Sequence, residues 1–191
     1  MAKAIRKEVR LIGFDDSPFN KFKDKKVLVV GVFYRGGNFL DGVISFNVKK
    51  DGNDASDQLI KAVKKSKFRA NTKALLFKGI AFAGFNVIDI KRIHKKTGIP
   101  CIVVMRKYPD YKRIKKALMN VGGWKKKLKQ IELAGIPKKA SGLYVQSAGL
   151  SINEIRNILK ISCIHSSIPE PIRVAHIISS GIVKGESRGS A

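Results

Sequence analysis

The sequence holds no apolar run near the roughly 20 residues needed to cross a bilayer. Its opening, Met1-Ala-Lys-Ala-Ile-Arg-Lys7, has neither the apolar centre nor the cleavage site of a signal peptide. Cysteine is scarce. Cys101 and Cys163 stand alone in apolar surroundings, which excludes a disulfide framework and suits a reducing, cytoplasmic setting. The three histidines, His94, His165 and His176, are scattered, which speaks against a structural zinc site. No P-loop or other compact phosphate motif occurs, so a small-molecule phosphohydrolase is poorly supported.

The largest deficit is in acids. Thirty-nine Lys and Arg face fourteen Asp and Glu, a formal charge of +25. A fold does not require such an excess, so it speaks to partners, and phosphate backbones are the commonest partner of a surface like this. A thermophilic composition would enrich Glu alongside Lys, and Glu is sparse here. With 191 residues and 44% hydrophobic content the chain suits one domain, spanning 1–191, with a basic arm at 1–8 and a small polar tail at 185–191 expected to be mobile.

Val9–Phe14, Val27–Tyr34 and Asp41–Val48 read as three successive strands with short joints, most simply an antiparallel meander. Asp54 then stands as a helix N-cap before the stripe Leu59, Ile60, Val63 and Phe68. Lys73–Phe77 reads as a strand, and Gly79–Gly84 as a glycine-punctuated turn. A helix is expected from Asn86 to Lys96, and Cys101–Met105 as a buried strand. Helices follow at Tyr111–Val121 and Lys125–Leu133, a short strand at Leu143–Val145, and a helix capped by Ser151 with Glu154 three residues on. Pro169-Glu-Pro171 opens the last helix, with Ile172, Ala175, Ile178 and Ile182 expected inward.

That order, antiparallel strands first and then alternating helices and strands, is the order of a ribonuclease H-like α/β fold, a mixed sheet with helices on both faces. In this setting Asp15 and Asp16, ending the first strand, acquire meaning. Buried carboxylates are costly unless a cation or several donors receive them. Asp15 is expected to anchor a divalent metal in a nuclease-like site; the competing reading makes Asp16 or Ser17 a turn cap before Pro18.

Several stretches carry a family resemblance. Ile12-Gly-Phe-Asp15 resembles the Gly-x-Asp that ends the first strand of endonuclease V. Thr97–Lys107 is similar to its strand ending in a basic residue near the DNA backbone. Leu143-Tyr-Val-Gln-Ser-Ala-Gly149 followed by Ile168-Pro-Glu-Pro-Ile-Arg-Val-Ala-His176 resembles its later strand and its Pro-Glu-Pro-x-Arg-x-Ala helix. Over nearly the whole chain, Phe14–Phe19, Tyr34–Gly37, Gly84–Asp89, Val104–Lys107 and Gly185–Gly189 resemble the archaeal deoxyuridine endonuclease (endonuclease dU) family, formerly a domain of unknown function and related to endonuclease V. The resemblance implies a metal-dependent endodeoxyribonuclease using Mg2+ or Mn2+, acting on DNA that contains deaminated bases, most of all deoxyuridine, in DNA repair. Two departures follow. Where endonuclease V ends its fourth strand with a metal-binding Asp, this chain has Lys78. Where that family has a Glu after its third strand, this chain offers Asp51 and Asp54.

The expected site therefore comprises Asp15, Asp16 and Asp54 as metal ligands and catalytic acids, with His176 as a proton donor or supporting group. Between Arg106 and Lys139 lie twelve basic residues and two acids, and Arg106, Lys107, Lys112, Arg113, Lys125 and Lys126 are expected on the backbone, with Arg173 from the last helix. Phe85 and Asn86 are candidates for a base pocket, stacking on a damaged base and bonding its edge. The alternative function is a catalytically inactive nucleic-acid binder on the same fold, a reading that Lys78 admits.

Overall fold

The apolar run after Val9 becomes the central organiser of a seven-stranded sheet in the computed structural model, which describes residues 9–187 and 189. The expected basic arm at 1–8 and tail positions 188, 190 and 191 lie outside the described residues. The strands of this sheet are β1 (Arg10–Asp16), β2 (Lys26–Arg35), β3 (Phe39–Lys49), β4 (Thr72–Lys78), β7 (Cys101–Met105), β8 (Lys138–Ala140) and β9 (Leu143–Ala148). They are ordered β3-β2-β1-β4-β7-β9-β8. β1 and β3 run antiparallel to β2, whereas β4 runs parallel to both β1 and β7. β9 turns back antiparallel to β7 and β8.

Side-chain alternation divides β1 between two cores. Ile12 and Phe14 pack beneath α1 (Ala55–Lys65) and α2 (Ile90–Thr97) with Leu59, Val63, Phe77 and Ile93. Leu11 faces α5 (Ile152–Ser162) and α6 (Glu170–Lys184) with Leu76, Ile158 and Ile172. The mixed sheet thus carries helices on both faces, as the element order requires. α3 (Tyr111–Leu118) and α4 (Trp124–Leu133) form a smaller cluster with Val87, Leu118 and Ile131 at its centre.

Gly13 shows why a glycine sits two residues before Asp15. A Cβ there would come within 2.2–2.3 Å of the Pro171 and Ile172 backbone. The close approach sets the start of α6 directly on β1, which links the Gly-x-Asp and Pro-Glu-Pro stretches physically. Glu170 is buried and accepts from Arg173 Nε at 2.9 Å and from the His165 N–H at 3.2 Å, tying the loop before α6 to its first turn.

Several details differ from the sequence reading. Asn86 and Val87 form a two-residue strand, β6, paired with β5 (Ala81–Phe82), and α2 starts only at Ile90. Its cap is Asp89, whose Oδ1 accepts from the Arg92 N–H at 2.9 Å. Phe68 lies beyond the end of α1, before a 3-10 turn at Arg69–Asn71, and packs on Phe33 instead of extending a helical stripe. α3 ends at Leu118, short of Val121. Ile182, expected inward, is exposed; it lies past Ser180, the last buried residue of α6.

Candidate active site

β1 delivers Asp15 and Asp16 to the C-terminal end of the sheet, where ligand sites of open α/β sheets form. Alternation sends the two carboxylates to opposite sides of the strand end. Asp15 points toward α6, and Asp16 toward the β5–β6 hairpin, where it accepts from the Ala83 N–H at 2.9 Å. Both nevertheless line one open cleft of about 360 Å³, because the cleft wraps around the end of β1. Ser17, Pro18, Phe19, Lys21, Lys78 and His176 complete its lining.

Asp15 is 3% exposed. Its Oδ2 is shared by Lys78 Nζ at 3.3 Å and His176 Nδ1 at 2.9 Å, and its Oδ1 accepts from the Asp16 N–H at 3.1 Å. Burial pushes the Asp15 carboxyl above the ordinary carboxylate range, and the charges of Lys78 and His176 pull it partway back. Burial also raises Asp16, to about 6; the Ala83 N–H opposes the shift and the neighbouring Asp15 adds to it. An ionised Asp15 accepts from His176, so Nδ1 then carries the ring proton. The opposite ring nitrogen, Nε2, is buried without a hydrogen-bond partner among the described residues. Ser179 Oγ, with one proton to give, lies 3.1 Å from the His176 carbonyl in its own helix and 3.4 Å from the Asp16 carbonyl of β1, behind the site.

These donors suit a hard cation only sparingly. Two acids meet at the cleft, but among the described residues no three His, Cys, Asp or Glu side chains group as a metal shell. Lys78 already offers a positive charge to Asp15 where endonuclease V would present a further Asp. Mg2+, however, is commonly held by one or two carboxylates with substrate phosphates and water completing its octahedron. Asp15 and Asp16 fit that pattern and not a closed protein cage.

Asp54 is not among the residues lining the cleft. Its Oδ1 accepts from Asn86 Nδ2 at 2.7 Å and from the Lys49 N–H at 3.1 Å, and its side chain does not cap α1. Asn86 is 0% exposed and fully engaged. Its amide also donates to the Lys49 carbonyl at 2.9 Å, and its Oδ1 accepts from the Ala55 N–H at 3.0 Å. Both amide protons are taken and the side chain is buried, so it presents no edge to a base. Phe85 is half-buried against the Val87–Leu118–Ile131 cluster. Arg173 is bound to Glu170. Arg106, Lys107, Lys112, Arg113, Lys125 and Lys126 are exposed around the end of β7 and along α3 and α4.

Lys127, one residue past that exposed pair, is 0% exposed. Its Nζ donates to the carbonyls of Asp51 (3.0 Å), Gly52 and Phe85 (2.8 Å) and to Asn53 Oδ1 (2.9 Å). Burial lowers its pKa, against the pull of Asp51 and Asp54. Within a run of basic residues nothing marks this one as internal; only its spacing from Ile131, four residues on, places both on one helical face. Lys78 and Lys21 were likewise outside the expected site, although the departure at Lys78 had flagged that position.

The chain is similar to known proteins in both sequence and fold. A UPF0215 protein of Methanothermobacter thermautotrophicus is 44% identical over 193 residues, spanning 99% of this chain and 95% of its own length. A crystal structure of an Archaeoglobus fulgidus protein of unknown function matches with a TM-score of 0.86 at 38% identity, covering 92% of this chain and 99% of the other. Endonuclease V of Ciona intestinalis, crystallised with a 24mer DNA containing an inosine followed by a ribo-adenosine, matches with a TM-score of 0.62 over 94% of this chain and 87% of its own. At 16% identity that likeness is one of fold. The endonuclease dU family model matches residues 7–183, a span that takes in Asp15, Asp16, Lys78 and His176, and the chain belongs to the endonuclease dU family.

Proposed function

We propose that this protein is a metal-dependent endodeoxyribonuclease that hydrolyses a DNA phosphodiester near a deaminated base, most of all deoxyuridine, as a step in DNA repair. Family membership and the endonuclease V-like fold point to a nuclease. The observation that carries the finer reading is the convergence of Asp15, Asp16, Lys78 and His176, from three separate elements, on one cleft at the end of β1.

Asp15 and Asp16 would hold Mg2+ or Mn2+ together with phosphate oxygens of the substrate, and the ion would supply Lewis-acid stabilisation of developing negative charge. Lys78 draws a non-bridging phosphate oxygen toward the cleft, and its charge favours the ionised form of Asp15 against the opposing effect of burial. His176 orients Asp15 through Nδ1, and its Nε2, without a partner among the described residues, is a candidate to relay a proton. The exposed lysines and arginines from Arg106 through Lys126 bind backbone phosphates on either side, which positions the strand without reading its sequence. Asp54 and Asn86 serve this assembly from behind, by fixing the end of β3 against α1 and β6.

End-labelled DNA carrying one uracil, incubated with Mg2+ or Mn2+, tests the reading. Cleavage by the wild type and its loss in Asp15→Ala are expected. A second reading, a binder without chemistry, draws on the Lys78–Asp15 ion pair. It would be favoured by salt-dependent binding with no cleavage under any divalent metal.

A further inference from the structure

Phe22 is 96% exposed, the most open large apolar side chain among the described residues. It stands on the joint between β1 and β2, three residues past Phe19 and next to Lys21, both of which line the Asp15 cleft. The joint is a built turn. Asn20 Oδ1 accepts from the N–H groups of Phe22 (2.8 Å) and Lys23 (3.1 Å), and Asp24 Oδ2 accepts from the Asn20 N–H (2.7 Å). Lys50 Nζ donates to the Lys21 carbonyl, tying the turn to the end of β3. Phe22 is therefore held out at the rim by a fixed backbone. Lys21, Lys23, Lys25 and Lys26 surround it with exposed positive charge, and the one acid, Asp24, is spent within the turn.

A single phenyl ring is too small for a stable protein interface, which buries about 800 Å² on each side. It does match one nucleobase, whose flat face a rim aromatic covers while lysines take the neighbouring phosphates. We propose that Phe22 stacks on an unpaired base of the nucleic acid whose phosphodiester occupies the Asp15 cleft, so that a locally opened strand is bound in preference to intact duplex. This rests on the nuclease reading above.

Binding is measured by anisotropy with the full chain in EDTA, so that no cleavage intervenes, on a labelled single strand containing uracil. Phe22→Ala and Phe22→Leu are expected to bind about tenfold more weakly. Their slope of log affinity against log salt stays that of the wild type, since stacking releases no counterions. Phe22→Trp retains affinity, and its added indole emission is quenched on DNA beyond any change of Trp124. Equal melting temperatures show that the fold is intact. Wild-type affinity in Phe22→Ala, or a Phe22→Trp whose emission ignores DNA, overturns the assignment while leaving the nuclease reading in place. A wild type that neither binds nor cleaves the DNA removes both.

Discussion

Two polar clusters in this molecule each contain a lysine and acids, and they are opposites. In the first, Lys127 gives its ammonium to three carbonyls and an amide oxygen, while Asp54 and Asn86 close a neighbouring set of bonds. Every proton of the ammonium has an oxygen to receive it, and Lys127 is fully buried on α4. In the second, Asp15 is nearly as buried, yet its partners are a partly exposed lysine and a histidine with one ring nitrogen unpartnered among the described residues, and the cleft stands open beside it. Matched polar groups in a closed space hold elements together; mismatched ones at an opening hold free energy that a ligand can release. The basic residue is the same in both places, so the surroundings decide its role.

Breaking either cluster should therefore fail in different currencies. Asp15→Ala should lower cleavage of uracil-containing DNA by roughly 10³-fold or more, while circular dichroism melts show a fold at least as stable, because a raised carboxyl has been removed. Lys127→Ala should do the reverse. It leaves four oxygens without their donor, and chemical denaturation should show a loss of about 3 kcal/mol. A Lys127→Ala protein that melts like the wild type would end the structural assignment.

Lys78→Gln separates charge from shape. Cleavage should fall about tenfold, and the acid limb of its pH profile should move upward. The sign follows from the lysine holding the Asp15 carboxyl down; without it Asp15 protonates at higher pH. An unchanged limb would mean that Lys78 does not govern Asp15. The smallest effect on stability is at Asp16. Its folded pKa, about 6, lies above the ordinary 3.8, so the native state binds the extra proton between those values and loses stability as pH rises through them. Asp16→Asn should accordingly be more stable at pH 7, on the order of 1 kcal/mol, with the difference gone below about pH 4. A constant difference across that range would remove the titration argument.

Much of this contrast was invisible in the sequence for a physical reason. Asp54 precedes an amphipathic stripe in the manner of an N-cap, and also sits where the family resemblance wants a carboxylate. Neither reading reveals that its partner is Asn86, thirty-two positions away. Asn86 itself, beside glycines, reads equally as loop, helix start or base contact; the β5–β6 pairing settles it through tertiary hydrogen bonds that local propensity cannot encode. Lys127 is one basic residue in a block of them, and its burial depends on where α4 meets the turn at Asp51. Lys78 was legible as a departure from a pattern, though its contact with Asp15 was not.

The sequence by itself determined the charge, the order of the long strands and of the helices and hence the fold class, and the acid at the end of the first strand. Each of these follows from composition or from periodicity along a single element. Tertiary structure alone decided which acid shares its oxygen with Lys78 and His176, which polar side chains are spent on the fold, and that Phe22 stands at the rim. Those facts depend on residues such as Asp15 and His176, 161 positions apart, meeting within hydrogen-bonding distance, and no local rule along the chain carries that information.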